Sequence, residues 1–123
     1  MSKLKIALIE DEKDLAEIYG MKLKMDGIEA VIITDSSEAL ATLRKEKPSL
    51  VLLDIMMPDL NGFELFEAMR KDKDLKNIKV YLWSNLTQKK EKAHAAKLKV
   101  DGYLIKSEYT PATLAQKVKE ILK

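Results

Sequence analysis

The sequence predicts an α/β fold in which helices cover both faces of a five-stranded parallel sheet. Short apolar runs recur along the chain, at residues 6–9, 30–33, 50–53, 80–83 and 103–105. Runs of this length are typical of strands that are buried on both faces, as in a parallel sheet between two helical layers. A segment with helical periodicity follows each run, so the chain has the (βα)₅ pattern of a doubly wound sheet with right-handed crossovers.

The first two helices have recognisable end signals. The first covers residues 14–26, where apolar side chains recur at helical spacing. Gly27 is its predicted stop, because glycine adopts the left-handed conformation at little cost. Ser36 or Ser37 is a predicted N-cap for the second helix, which is expected to end before Pro48.

The last three helices are predicted from their first residues. Asn61 is a predicted cap for a helix over residues 63–71, and Thr87 begins a helix that reaches residue 98. Thr110 followed by Pro111 is typical of a cap and the first helical position, and this helix is predicted to run to residue 123. The elements fill residues 1–123 as one domain, and no output domain is expected after it.

Composition excludes several classes of protein. The chain has 123 residues, no cysteine and a formal net charge of only +2. Disulfide scaffolds, cysteine-ligated zinc and thiol catalysis are therefore excluded. The apolar run at residues 6–9 ends at Glu10 and is too short for a signal peptide or a membrane span, so we expect a soluble cytoplasmic protein without membrane contact. Arg44 and Arg70 are the only arginines, which argues against direct nucleic-acid binding.

Candidate functional residues follow four of the five predicted strands. They are Glu10 and Asp11 after the first strand, Asp54 after the third, Ser84 after the fourth and Lys106 after the fifth. Ligands of an open α/β sheet bind beyond the carboxyl ends of the strands, where the strand order reverses. In the order 2-1-3-4-5 the first and third strands are neighbours, so this order brings the three carboxylates into one crevice.

These residue types favour phosphoryl transfer to Asp54. Three carboxylates in one crevice repel one another and require a nearby cation. Mg²⁺ is the expected ion, with Mn²⁺ as an alternative, because it prefers carboxylate, carbonyl and phosphate oxygens. The backbone carbonyl of Met56 is a further candidate ligand. The Lys106 ammonium and the Ser84 hydroxyl supply donors for phosphoryl oxygens, and a carboxylate is an established nucleophile for such groups.

Three segments resemble the signature blocks of the response-regulator receiver family. They are IEDE at residues 9–12, LDIMMPDLNG at 53–62 and DGYLIK at 101–106. The resemblance covers the whole chain, and the blocks occur in the family's order and approximate spacing. It implies a stand-alone receiver domain with a flavodoxin-like fold. The strand order 2-1-3-4-5 is taken from this resemblance as much as from the apolar pattern.

The resemblance also implies a role for each candidate residue. Glu10 and Asp11 would be the acidic metal pair, Asp54 the phosphoacceptor, Ser84 the switch hydroxyl, Tyr103 the switch aromatic and Lys106 the phosphate-contacting lysine. A histidine kinase or a histidine phosphotransfer protein would supply the phosphoryl group. Phosphorylation would draw Ser84 and Lys106 inward and admit Tyr103 into the vacated space. The surface of helix 87–98, the fifth strand and the last helix would change as a result.

The consequences of this switch are expected outside the domain. An unidentified downstream protein would bind the changed surface, and the domain would be a monomer or a phosphorylation-dependent dimer. It would not be an enzyme in the usual sense, since it would catalyse only its own phosphorylation and dephosphorylation.

Two positions depart from the family pattern. Ser107 follows the lysine where receivers usually have a proline held cis, and a cis bond before a non-proline residue costs about 2.5–4 kcal/mol. Either that strain is carried or the loop differs locally. Asn85 follows Ser84 where a smaller residue is common, and its side chain would narrow access to the phosphoryl group.

Two alternatives remain open on the sequence alone. A Mg²⁺-dependent phosphohydrolase of the aspartyl-phosphate type would use the same nucleophile, but its acid/base is often an aspartate two positions later, where this chain has Met56. A degenerate receiver would bind partners without phosphorylation. Retention of the acidic groups and the lysine argues against that alternative.

Overall fold

All five predicted strands are present in the computed structural model, which describes residues 4–54, 62–84 and 99–123. They are β1 (Leu4–Ile9), β2 (Ile28–Ile33), β3 (Leu50–Leu53), β4 (Lys79–Ser84) and β5 (Gly102–Ile105). The strands form one parallel sheet in the order β2-β1-β3-β4-β5. The predicted fold class and strand order are therefore confirmed.

Four helices cover this sheet in the described ranges. They are α1 (Lys13–Met25), α2 (Ala39–Glu46), α3 (Gly62–Lys71) and α4 (Pro111–Ile121). The predicted helix over residues 87–98 and the Asn61 cap lie outside the described residues. Within residues 4–54, 62–84 and 99–123, no helix has the length and apolar character needed to cross a membrane.

The helix ends agree with the sequence in two of three cases. Gly27 has φ +82°, as expected of a left-handed residue after α1. Thr110 accepts a hydrogen bond from the Thr113 backbone N–H and forms a capping box before α4. The predicted serine cap of α2 is wrong for Ser37, because its N–H and hydroxyl both donate to Asp35 Oδ1, at 2.9 and 2.7 Å. A 3₁₀ turn (Ser36–Glu38) precedes α2 instead, and the Ser36 side chain lies outside the described part.

Strand side chains alternate between two apolar cores. On one face Ala7, Val51 and Leu82 pack against α2 and α3, whose contributions include Leu43 and Phe66. The opposite core contains alternate residues of the same strands together with side chains of α1 and α4. Its main members are Ile6, Leu8, Tyr19, Leu23, Leu50, Leu52, Trp83, Leu114 and Val118. Burial on both faces explains the uninterrupted apolar runs, and it leaves the polar residues at the strand ends.

Candidate functional site

The backbone places Glu10 and Asp54 side by side. The Glu10 N–H donates to the Ile33 carbonyl at 3.0 Å, and the Asp54 N–H donates to the Ile9 carbonyl at 3.0 Å. Each bond continues a parallel ladder by one residue beyond the end of its strand. The two carboxylates therefore leave the sheet at the same edge, as the predicted strand order requires.

Lys106 joins these two carboxylates. It is the first residue after β5, and its Nζ lies 3.0 Å from Asp54 Oδ2 and also contacts Glu10 Oε2. The site is largely closed to water, since Glu10 is fully buried and Asp54 is 4% exposed. The other Glu10 oxygen, Oε1, accepts a hydrogen bond from the Glu12 N–H at 3.3 Å.

Burial changes the protonation behaviour of this cluster. Desolvation, with the charge of Asp54, raises the pKa of Glu10 to about 7, although contact with Lys106 opposes the rise. For Lys106, burial acts to lower the pKa, but the carboxylates of Glu10 and Asp54 outweigh it and the pKa is raised. The ammonium of Lys106 is therefore charged at neutral pH.

Three carboxylates of this site could hold a metal ion. One oxygen each of Glu10, Asp11 and Asp54 lies within 4.8 Å of the others. An octahedral Mg²⁺ binds oxygen at about 2.0–2.1 Å, so its ligand oxygens lie about 3–4 Å apart. A small closing movement, or a water molecule between the ion and one carboxylate, brings the set within that range. Asp11 is exposed and offers an approach from solvent. The carboxylates of Glu10, Asp11 and Asp54 therefore fit a bound Mg²⁺.

The two predicted switch residues, Ser84 and Tyr103, lie on the face of the sheet that packs against α2 and α3. Tyr103 on β5 lies opposite Leu82 on β4, and both pack in that core. Ser84, two residues after Leu82, points to the same face by strand alternation and is 3% exposed. Ser84 and Tyr103 are thus offset by about 7 Å along neighbouring strands.

The loop after β5 differs from the family pattern in the way the serine suggested. The Lys106–Ser107 peptide bond is trans, and Lys106–Glu108 form a short 3₁₀ turn. The local-difference alternative is therefore correct, and no cis bond is carried at this position. Met56 and Asn85, the candidate carbonyl ligand and the bulky neighbour of Ser84, lie outside the described residues.

Two features of the site were missed by sequence reasoning. The direct contact between Lys106 and Glu10 was not predicted, because the sequence placed the ammonium near the carboxylates and the phosphoryl oxygens without pairing it with a particular carboxylate. The second feature is the Tyr19 hydroxyl on α1, which donates to the Tyr109 carbonyl at 2.8 Å, next to the turn that carries the lysine. Only the position of Tyr109 three residues after Lys106 could have suggested the second feature.

The fold agrees with comparisons to known proteins. The family model for the response regulator receiver domain matches residues 6–119. The probable transcriptional regulator ycf27 of Cyanophora paradoxa is 31% identical over 123 residues, which is 100% of this chain and 50% of that protein. A transcriptional regulatory protein for alkaline phosphatase synthesis, PhoP of Bacillus subtilis, is 28% identical over 97% of this chain and 48% of its own length. The chain spans about half the length of the curated relatives it matches.

Solved structures give the same answer. A CheY-like response regulator receiver domain protein from Methanospirillum hungatei superposes with a TM-score of 0.86 at 26% identity, covering 98% of this chain and 94% of that one. The chemotaxis protein CheY4 of Vibrio cholerae has a TM-score of 0.87 at 24% identity, with 97% and 98% covered, and supports the fold alone. The chain belongs to the response regulator receiver domain family of two-component signalling.

Proposed function

We propose that this receiver accepts a phosphoryl group on Asp54 from a histidine kinase or a histidine phosphotransfer protein, and that Mg²⁺ supports the transfer. The observation that carries the proposal is the position of the Lys106 ammonium, 3.0 Å from Asp54 Oδ2 and in contact with Glu10. A fixed cation beside a buried carboxylate favours a group that brings more negative charge to that carboxylate.

The chemistry needs only what the cluster and the donor supply. An oxygen of Asp54 forms the new P–O bond while the P–N bond to the donor imidazole breaks. The electron pair of the broken bond stays on the imidazole nitrogen, which takes up a proton. Glu10, Asp11, Asp54 and the Met56 carbonyl would hold Mg²⁺, and the bound ion would neutralise phosphoryl oxygens. Lys106 would then contact a phosphoryl oxygen in place of one carboxylate.

The output would come from the β4–β5 edge. A phosphoryl group on Asp54 would attract the Ser84 hydroxyl, and Tyr103 would move toward the space left along the same face. The surface formed by the predicted helix over residues 87–98, β5 and α4 would change and bind a downstream protein in the cytoplasm, with the receiver acting as a monomer or a phosphorylation-dependent dimer. The names of the longer relatives support a partner or linked unit that controls transcription.

Direct contact of the receiver with nucleic acid is not part of this proposal. Its two arginines are engaged within the fold: Arg44 pairs with Asp72, and Arg70 pairs with Asp101 at 3.1 Å. Arg70 also donates to two backbone carbonyls and lies 4.6 Å from the centroid of the Phe66 ring. Neither guanidinium is presented for bidentate recognition of a base or phosphate.

The test is the incubation of the protein with phosphoramidate and Mg²⁺, followed by intact-mass measurement. We expect one labile phosphoryl adduct on the wild type, none on Asp54→Asn, and a normal level on Asp35→Asn. Asp35 is the matched control because it follows β2 much as Asp54 follows β3, but it lies at the edge of the sheet. Equal labelling of Asp54→Asn would exclude the proposed acceptor. Rapid multiple-turnover hydrolysis of a phosphate ester would favour the phosphohydrolase.

A further inference from the structure

The lysine of the site depends on a short turn at the end of an edge strand. The last register pair between β4 and β5 joins Ser84 to Ile105, so Lys106 lies one residue beyond it. Among the strands that the structure describes, β5 has a neighbour on one side only. The Lys106 ammonium must nevertheless reach Glu10 and Asp54, at the ends of β1 and β3. The position of the turn therefore sets the reach of the lysine.

The turn is connected to α1 through Tyr109. The Tyr109 N–H donates to the Lys106 carbonyl at 3.1 Å and closes the turn, while the Tyr109 carbonyl accepts from the Tyr19 hydroxyl at 2.8 Å. This second bond joins residues 90 positions apart in the sequence. Burial raises the pKa of Tyr19 above its ordinary value, so the hydroxyl remains a donor across the neutral range.

Trp83 packs against both tyrosines of this hydrogen bond. The centroid of its ring lies 5.3 Å from that of Tyr19 in an edge-to-face arrangement and 6.2 Å from that of Tyr109. Trp83 is fully buried and directly precedes Ser84. Edge-to-face pairs of this kind add about 0.5–1.5 kcal/mol beyond burial and restrict ring rotation.

We infer that Tyr19 is a positioning residue for Lys106. Its hydroxyl fixes the Tyr109 carbonyl, and through the turn it sets the place of the ammonium between Glu10 and Asp54. The inference rests on the proposed function for its consequence in phosphorylation, but the position of the ammonium can be measured separately. Since α1 begins two residues after Asp11, the same helix then locates both the acidic pair and the lysine.

Two measurements on Tyr19→Phe test the inference, with Tyr81→Phe as the matched control. Tyr81 packs against the same core from β4, so both variants lose one hydroxyl and keep the ring. The first measurement is competitive acylation of lysines by an activated ester, read by peptide mass spectrometry, with Lys119 as the internal standard. We expect acylation of Lys106 to rise several-fold in Tyr19→Phe and to be unchanged in Tyr81→Phe. An equal rise at both lysines, or no rise at Lys106, overturns the inference.

The second measurement is the rate of Asp54 labelling by phosphoramidate at saturating Mg²⁺. We expect Tyr19→Phe to be about tenfold slower, because a misplaced ammonium no longer neutralises the phosphoryl group during transfer. In a Lys106→Met background, Tyr19→Phe should have no further effect, whereas a general structural defect would act additively. A normal labelling rate in Tyr19→Phe, or full additivity of the two substitutions, would contradict the inference about Tyr19 and leave the proposed function unaffected. Absence of labelling in the wild type sinks the proposed function, and the acylation result still decides on Tyr19.

Discussion

Removal of the Lys106 ammonium should destabilise the protein in a pH-dependent way. In Lys106→Met the side chain keeps a similar length, but Glu10 and Asp54 lose the cation that both contact. Loss of one partner of a buried ion pair usually costs about 3–5 kcal/mol. A buried carboxylate can reduce this cost by taking up a proton, so the effect depends on where Glu10 titrates.

The magnitude follows from the pKa of Glu10. Burial raises it from 4.5 to about 7, which makes folding bind a proton. The corresponding stability is fully present below pH 4.5 and is lost as the pH rises through 7, at about 1.4 kcal/mol per pH unit. In the wild type the loss ends near pH 7, because the folded state then ionises too. Without the ammonium the folded pKa is higher still, so the variant continues to lose stability. The difference should therefore grow by about 3 kcal/mol between pH 5.5 and pH 9.

Urea unfolding in the presence of EDTA, followed by Trp83 emission and far-ultraviolet circular dichroism, measures this difference. Lys119→Met is the matched control, because Lys119 is half exposed and pairs with Asp26 at 3.4 Å. Exposed pairs of this kind contribute less than about 1 kcal/mol, and the control should show no growth in the difference above pH 7. A destabilisation of Lys106→Met that is constant with pH, or larger at pH 5.5 than at pH 9, would refute the reasoning.

Three further predictions concern the scaffold. A Cβ on Gly102 would collide with three atoms of the Tyr81 ring, so Gly102→Ala should cost about 1–3 kcal/mol in urea unfolding. Tyr81→Ala should remove most of that cost in the double variant. The Asp74 N–H, and after it Arg44, lower the pKa of Asp72. The stability that Asp72 contributes is therefore present above the unfolded pKa and is lost as the pH falls through the lower folded pKa. In Asp72→Asn the melting temperature should fall less steeply below pH 4 than in the wild type, and an equally steep fall would contradict this. The buried Trp83 Nε1 has no hydrogen-bond partner in the described part of the chain. Trp83→Phe should therefore lower the free energy of unfolding by less than about 1.5 kcal/mol, measured by circular dichroism, because no hydrogen bond is lost. A large-to-small change in a core typically costs about 3–5 kcal/mol.

The sheet and the members of the site could be predicted because their signals are local. Every apolar run became a strand, and the residue after each strand was readable without knowledge of its neighbours. Once the strand order was known, the meeting of Glu10 with Asp54 followed from the common direction of parallel strands. The predicted second run began at residue 30, two residues too late, because Glu29 interrupts the apolar pattern. In the structure Glu29 is exposed on the edge strand, so β2 can begin at Ile28.

Contacts that depend on competition or on distant packing could not be predicted. Asp35 and Ser37 both have side chains that form local turns, and only the fold shows that Asp35 is the acceptor and Ser37 the donor. The partner of Lys106 was equally undetermined. A lysine side chain has a flexible four-carbon stem, so its ammonium can reach any group within several ångströms of the strand end. Its contact with Glu10 depends on the placement of β1 relative to the turn after β5.

The turn after β5 shows why a departure from a family pattern need not weaken a site. A proline held cis fixes the backbone locally, whereas a trans Lys106–Ser107 bond leaves that constraint to other contacts. In this chain the Tyr109 carbonyl accepts a hydrogen bond from Tyr19, whose helix packs its buried face against the sheet and α4. If Tyr19 supplies the missing constraint, the position of the lysine is coupled to α1, the helix that directly follows the acidic pair. Substitutions on the buried face of α1, such as Tyr19→Phe, should then change phosphoryl transfer without touching any of the reacting groups.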